Sequence, residues 1–153
     1  MPSNQATYDD ANLILRLFEL RRDEKMRAAR NWFASSFRAA SIAEMQKLAP
    51  QGSDENAYVR MVTSYWEMVA SFVASGVLNA ELFFQSGGEM LFVWERVKDI
   101  VPEMRTMMKS PQIWRNLEQV AGQYVKYMES QGPESYASFQ AMVKSVGAET
   151  AKS

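Results

Sequence analysis

The sequence predicts an all-α protein: a single-domain helical bundle of about five main helices plus short helical turns, with one helix kinked at a proline. Three observations predict it. Apolar residues recur three and four positions apart along almost the whole chain. No segment alternates with period two, the pattern of a half-buried strand. Proline, glycine and capping residues fall mainly between the periodic stretches. With 153 residues the chain fits one domain. The expected boundaries are a disordered N-terminus over 1–8, one bundle over 9–146 and a frayed tail over 147–153.

The first helix is expected to start at Asp9 or Asp10, acidic residues suited to capping and to the positive end of a helix dipole. It should run without a break through Leu13, Ile14, Leu17 and Phe18 to Ala28, Ala29, Trp32 and Phe33. Its charged centre, Glu19 to Arg30, pairs Asp23 with Arg27 and Glu19 with Arg22, and should project into solvent or against a partner. A short amphipathic piece follows over Ser41–Leu48, then the breaker Ala49-Pro50-Gln51-Gly52-Ser53. Ser53 should cap a helix running to about Ser75, ended by Gly76 as a left-handed residue. Its apolar stripe reads Tyr58, Met61, Val62, Tyr65, Val69, Phe72 and Val73.

Asn79 should cap a turn over Ala80–Phe84, and Gly87-Gly88 reset the direction. The next helix spans about Glu89 to Met108 with a stripe of Met90, Trp94, Val97, Val101, Met104 and Met108, a left-handed packing seam. Pro102 lies inside it and predicts a kink near Lys98–Val101. Ser110-Pro111 reads as a cap followed by a first-turn proline, opening a helix with Trp114, Leu117, Val120, Ala121, Tyr124 and Met128. Gly132-Pro133 should end it. A last helix covers about Glu134 to Val146.

Composition narrows the chemistry. The chain has no histidine and no cysteine, which excludes Ser-His and Cys-His nucleophile sets, zinc fingers, two-His iron sites and disulfides. Carboxylate, lysine, tyrosine and hydroxyl chemistry remains. A net charge of -1 gives no global pull towards nucleic acid or an anionic membrane. Charge is uneven, however: residues 1–40 and 104–153 each carry a net +2, and 41–103 a net -5. Such segments can pair within a fold or between subunits. The longest apolar run, Met90–Trp94, is far short of the ~18 residues of a membrane span. The first residues lack the basic and apolar regions of a secretory signal, so a cytoplasmic location is expected.

Several residues are candidates for chemistry. Glu67, in Tyr65-Trp66-Glu67, falls with Arg60, Thr63, Ser64, Ser71 and Ala74 opposite the main stripe. It reads either as a salt-bridging or solvated carboxylate or as a base or metal ligand in a small-residue groove. With Glu81, Glu89 and Glu95 it could form a carboxylate cluster, but di-metal bundles complete such sites with Glu-x-x-His pairs that this chain cannot supply. The basic run Arg21, Arg22, Lys25, Arg27 and Arg30 is interleaved with Glu19, Asp23 and Glu24, which blunts any phosphate-binding field. The 11 methionines are more suggestive, because methionine serves both irregular cores and adaptable binding surfaces. Met104, Met107 and Met108 cannot all face one core; with Trp94 and Trp114 they suggest an apolar pocket beside Pro102 or an interface.

The residues Tyr65-Trp66-Glu67, Gly76, Leu78, Leu82, Trp94-Glu95, Ile100, Arg105, Trp114 and Leu117 resemble the pattern of an uncharacterised bacterial family. That family is one of small all-helical proteins classed as a domain of unknown function. The segment from Leu17-Phe18-Glu19-Leu20 through Arg30, Trp32 and Phe33 is similar as well, so the resemblance covers roughly residues 13–120. Many members carry an N-terminal membrane anchor, whereas this chain begins directly in the helical domain. The resemblance implies a charged pair of Glu67 with Arg105, tying the third helix to the fifth, and implies no activity.

The functional expectation is a non-enzymatic interaction or scaffold module that self-associates as a dimer, without cofactor, metal or catalytic residues and without nucleic acid as partner. The alternative is a small apolar-ligand binder with its pocket near Pro102. A third is a histidine-free carboxylate enzyme using Glu67 with Arg105.

Overall fold

A computed structural model describes residues 5–148, and among them the chain forms nine helices and no strand. They are α1 (Tyr8–Leu20), α2 (Glu24–Ser36), α3 (Ile42–Leu48), α4 (Asp54–Ala74), α5 (Ala80–Phe84), α6 (Gly88–Val97), α7 (Val101–Met108), α8 (Arg115–Gln131) and α9 (Ser135–Ser145). The all-α class is as expected; the helix count rises because two long helices are each divided.

The first division falls at Arg21–Asp23. Asp23 accepts from the Met26 amide and caps α2, so the chain turns an elbow where a single helix was expected. The elbow buries Arg21, Met26 and Ala29, while Glu19, Arg22, Asp23, Glu24, Lys25 and Arg27 of the charged centre face solvent. The helix also starts one or two residues earlier than expected, because Thr7 is the cap and Asp10 is its reciprocal partner in a capping box. Of the expected disordered stretch 1–8, residues 1–4 lie outside the described residues, and Thr7 and Tyr8 already belong to α1 and its cap.

The second division falls at Lys98–Ile100, where the kink was expected. Proline has no amide to continue the ladder and its ring crowds the carbonyl four residues back, so the helix ends at Val97 and restarts at Val101. The expected seam is lost beyond the break. Met90, Val97 and Val101 are buried, but α7 leaves the bundle, and Met108 is 58 % exposed. Lys109 then adopts φ 53°, and the Lys109 and Ser110 amides donate to the Thr106 and Arg105 carbonyls, a Schellman closure of α7. Ser110 is therefore consumed by the end of α7, and the expected Ser110-Pro111 helix start does not form. Residues 111–114 make turns, and α8 opens at Arg115.

α4 is the central element, packed chiefly between α2 and α8, with α6 bridging α4, α8 and α9. Contact on more than one side shifts and widens its buried face relative to the expected stripe: Val59, Val62, Thr63, Trp66, Val69, Ala70 and Val73 are buried, and Tyr58, Met61, Tyr65 and Phe72 flank them. The start at Ser53 and the left-handed Gly76, φ 83°, are as expected. At the other end, residues 149–153 of the expected tail lie outside the described residues. Gly147 does not fray; at φ 79° it packs so closely on the Ser35 carbonyl that a Cβ there would collide with it.

Candidate functional site

Tyr65, Trp66 and Glu67 are consecutive on α4, so their side chains leave the helix about 100° apart and reach three different elements. The Tyr65 hydroxyl donates to the Leu17 carbonyl at 2.6 Å, holding the end of α1. Burial pushes its pKa up to about 12, with Arg21 partly offsetting. Trp66 is buried; its ring meets Tyr65 edge-on at 4.9 Å and lies 5.1 Å from the Arg21 guanidinium, which also stacks on Phe18 at 4.0 Å.

Glu67 is turned towards α8 rather than away from the bundle. Its Oε1 accepts from the Leu117 amide at 2.8 Å, and its Oε2 from the Asn116 side chain at 2.8 Å and amide at 3.3 Å. α8 has no side-chain cap of its own, because Trp114 occupies the cap position in a left-handed conformation, φ 54°. A carboxylate from α4 supplies what the local sequence lacks, at the end of the dipole that favours negative charge.

The expected Glu67–Arg105 pair does not form. Arg105 donates to the Ile113 carbonyl at 2.9 Å and pairs with Glu118 at 3.1 Å. The two residues clamp the same turn, 113–118, from different sides, and each is satisfied by that turn rather than by the other. Their adjacency in purpose was visible in the sequence pattern; their lack of direct contact was not.

Trp94 and Trp114 are half-buried and packed against the core. Met104 is half-buried, while Met107 and Met108 are 51 % and 58 % exposed. None of these five residues lines either of the clefts beside α9.

The other acids are dispersed. Glu89 is gripped by the Arg30 guanidinium through two 2.7 Å hydrogen bonds, with Arg21 at 3.6 Å. The hydrogen bond to Glu89 raises the Arg30 pKa, whereas burial lowers that of Arg21. Glu95 accepts from Lys98, Tyr136 and Gln140, fastening α9 to α6, and Glu81 is exposed. Among the described residues no three acidic side chains gather in a way that could hold a metal ion.

Sequence reasoning missed Arg96, the most deeply engaged cation. Its guanidinium donates to the carbonyls of Phe33 and Phe37 at the end of α2 and of Val143 and Val146 at the end of α9, with Phe92 against its face at 4.5 Å. Arg38 also donates to Val146. Two helix C-termini converge on the charge, the dipole ends that favour a cation, although burial and then Arg38 lower its pKa. The sequence signal was a lone arginine inside the apolar stretch Met90–Val97. Asp10 was seen as a cap but not as a bridge: it also accepts from the Asn79 amide, and the Thr7 and Asn79 amides hold its pKa down.

Some apolar surface stays uncovered. α1 has an inward face on Leu13, Ile14 and Leu17, and a second row of Tyr8, Ala11, Leu15 and Phe18 spaced 3-4-3, in which Ala11 is half-buried and Phe18 lies against Arg21, so that Tyr8 and Leu15 stand outermost. Tyr8 and Leu15 are 81 % and 60 % exposed. A cleft of about 390 Å³ opens between α2, α6 and α9. No helix among the described residues is long and apolar enough to cross a membrane.

No curated protein and no solved structure matches the chain. A family model matches residues 6–124, from the cap of α1 into α8, and leaves α9 outside. The match covers well over half of the sequence, and the chain belongs to the family described as Domain of unknown function (DUF4760).

Proposed function

We propose that this chain is a non-enzymatic helical association module that pairs with a second copy of itself through the outward row of α1. The observation that carries the reading is that Tyr8 and Leu15 stay exposed on α1, while the bundle uses Leu13, Ile14 and Leu17 and, through Arg21, Phe18. A 3-4-3 row is the spacing with which one helix packs along another. The helix dipole favours an antiparallel partner, because the first turn of α1 is acidic and Arg16 near its far end already pairs with Glu19, which leaves no basic residue in its last turn. An antiparallel second copy opposes the two dipoles. The engagement of Glu67, Glu89, Glu95 and Asp10 in helix ends and ion pairs favours a structural over a catalytic role for the carboxylates. The reading places the module in the cytoplasm, which suits a cysteine-free chain.

α1 is about 20 Å long, and one such face is smaller than the ~800 Å² per partner of a standard interface. The association should therefore be weak, in the micromolar range or above. Sedimentation equilibrium of the full chain from about 10 µM upwards should show a monomer–dimer equilibrium. Leu15→Glu places a charge at an exposed position and should leave a folded monomer. A wild-type chain that stays monomeric throughout, or a dimer that survives Leu15→Glu, overturns the reading.

A further inference from the structure

We propose that the second cleft beside α9, between the α2–α3 connection, α6 and α9, binds a small organic carboxylate through the guanidiniums of Arg38 and Arg96. This goes beyond the association reading and involves no residue of α1. The cleft is about 470 Å³, within the range of small-molecule sites, and both arginines line it. Burial and then the charge of Arg38 bring the Arg96 pKa down to about 10, so the two cations act on one another. Among the described residues neither pairs with a carboxylate. Arg38 donates to the Val146 carbonyl through Nη2 alone; its Nη1 has no acceptor, and its Nε is buried without one. Arg96 spends Nη1 and Nη2 on four carbonyls, and its Nε is likewise buried without an acceptor.

The other charges that line the cleft are engaged or screened. Lys98 and Glu95 pair with each other at 2.8 Å, and Glu95 also accepts from Tyr136 and Gln140. Glu44 accepts from the Ala40 amide and is exposed, as are Asp99 and Lys144, so water screens all three. The two inner guanidiniums remain. The C-termini of α2 and α9, which supply their carbonyls, each offset about half a charge, and about one positive charge is left over. A monoanion neutralises it, and the guanidinium fork matches a carboxylate in shape. A phosphate monoester, at about -1.5 to -2, overshoots that charge and meets the acids of the lining. Ala39, Ala40 and Val143 offer apolar contact to a short carbon chain behind the carboxylate. Val143 belongs to α9, beyond residues 6–124, so the site depends on a helix outside the family match.

The test follows the arginine Nε–H signals of the full chain by NMR during titration with butyrate, butylammonium and inorganic phosphate, at constant ionic strength and chloride. Butyrate should shift the Arg38 and Arg96 signals together and saturably, with a Kd on the order of 1 mM. Butylammonium should leave them in place, and phosphate should bind at least about threefold more weakly than butyrate. Arg38→Gln, read at Arg96, should weaken butyrate at least about fivefold. Ala40→Glu sets a carboxylate at an exposed position of the lining, leaves both arginines in place, and should weaken butyrate by a similar factor. The proposal is overturned by the absence of a saturable butyrate shift, by butylammonium saturating the same signals, by phosphate binding as tightly as butyrate, or by an affinity unchanged in both variants.

Discussion

Replacing Glu67 with alanine should destabilise the protein by about 3 kcal/mol, and the structure says where that energy resides. The carboxylate satisfies the amides of Asn116 and Leu117 and the Asn116 side chain, in a helix that has no cap of its own. Loss of a helix cap costs about 1 kcal/mol, and a partly buried charge at a helix terminus adds up to ~2 kcal/mol. Arg105 keeps the Ile113 carbonyl and Glu118 in the variant, so no stranded cation enters the sum. Urea unfolding should show a midpoint lower by roughly 1–2 M at an unchanged slope. Glu67→Gln retains an acceptor and should lose about half as much. Because Arg105 holds the same turn, Glu67→Ala and Arg105→Met should be non-additive by at least about 0.5 kcal/mol. A loss below about 1 kcal/mol, or unchanged hydrogen exchange at the Asn116 and Leu117 amides, would refute the reasoning.

Arg96→Met removes a donor from four carbonyls at two helix ends, of which Phe33 keeps the Phe37 amide and Val146 keeps Arg38, and should cost about 3 kcal/mol by urea unfolding. It should also make α9 a site of rapid limited proteolysis, because Val143 is the one residue in that helix classed as buried; Arg96→Lys should not restore protection, since an ammonium lacks the planar fork. Tyr65 holds its proton to about pH 12, so between pH 10 and 12 the unfolded chain releases a proton that the folded chain keeps, and stability falls as pH rises, by up to about 2 kcal/mol. Tyr65→Phe should lose about 1 kcal/mol at pH 7 with the Leu17 hydrogen bond but decline less steeply above pH 10; parallel declines in the two proteins would contradict the assignment.

Helix ends whose signals are local were legible in the sequence. Ser53, Gly76, Asn79 and Gly132 act within one turn of themselves, and each does what its residue type and position predict. Asp23 shows the limit of such reading. It caps α2, but inside a charged stretch of helical spacing it reads equally well as an exposed helix residue, and the elbow goes with the docking of Arg21 onto Phe18 and Trp66, which no local signal announces. Ser110 fails for a related reason: the closure of α7 claimed it first.

The sequence by itself determined the all-α class and the absence of histidine and cysteine chemistry, because periodicity, breakers and composition are properties of neighbouring residues, and it singled out Tyr65-Trp66-Glu67 without fixing a role for them. The tertiary structure alone decided what those side chains do. Glu67 caps α8, Arg105 holds the turn before it, and Arg96 gathers the ends of α2 and α9. A buried charge is stable only with the partner that packing brings within about 3 Å, and that partner can stand tens of residues away in the chain.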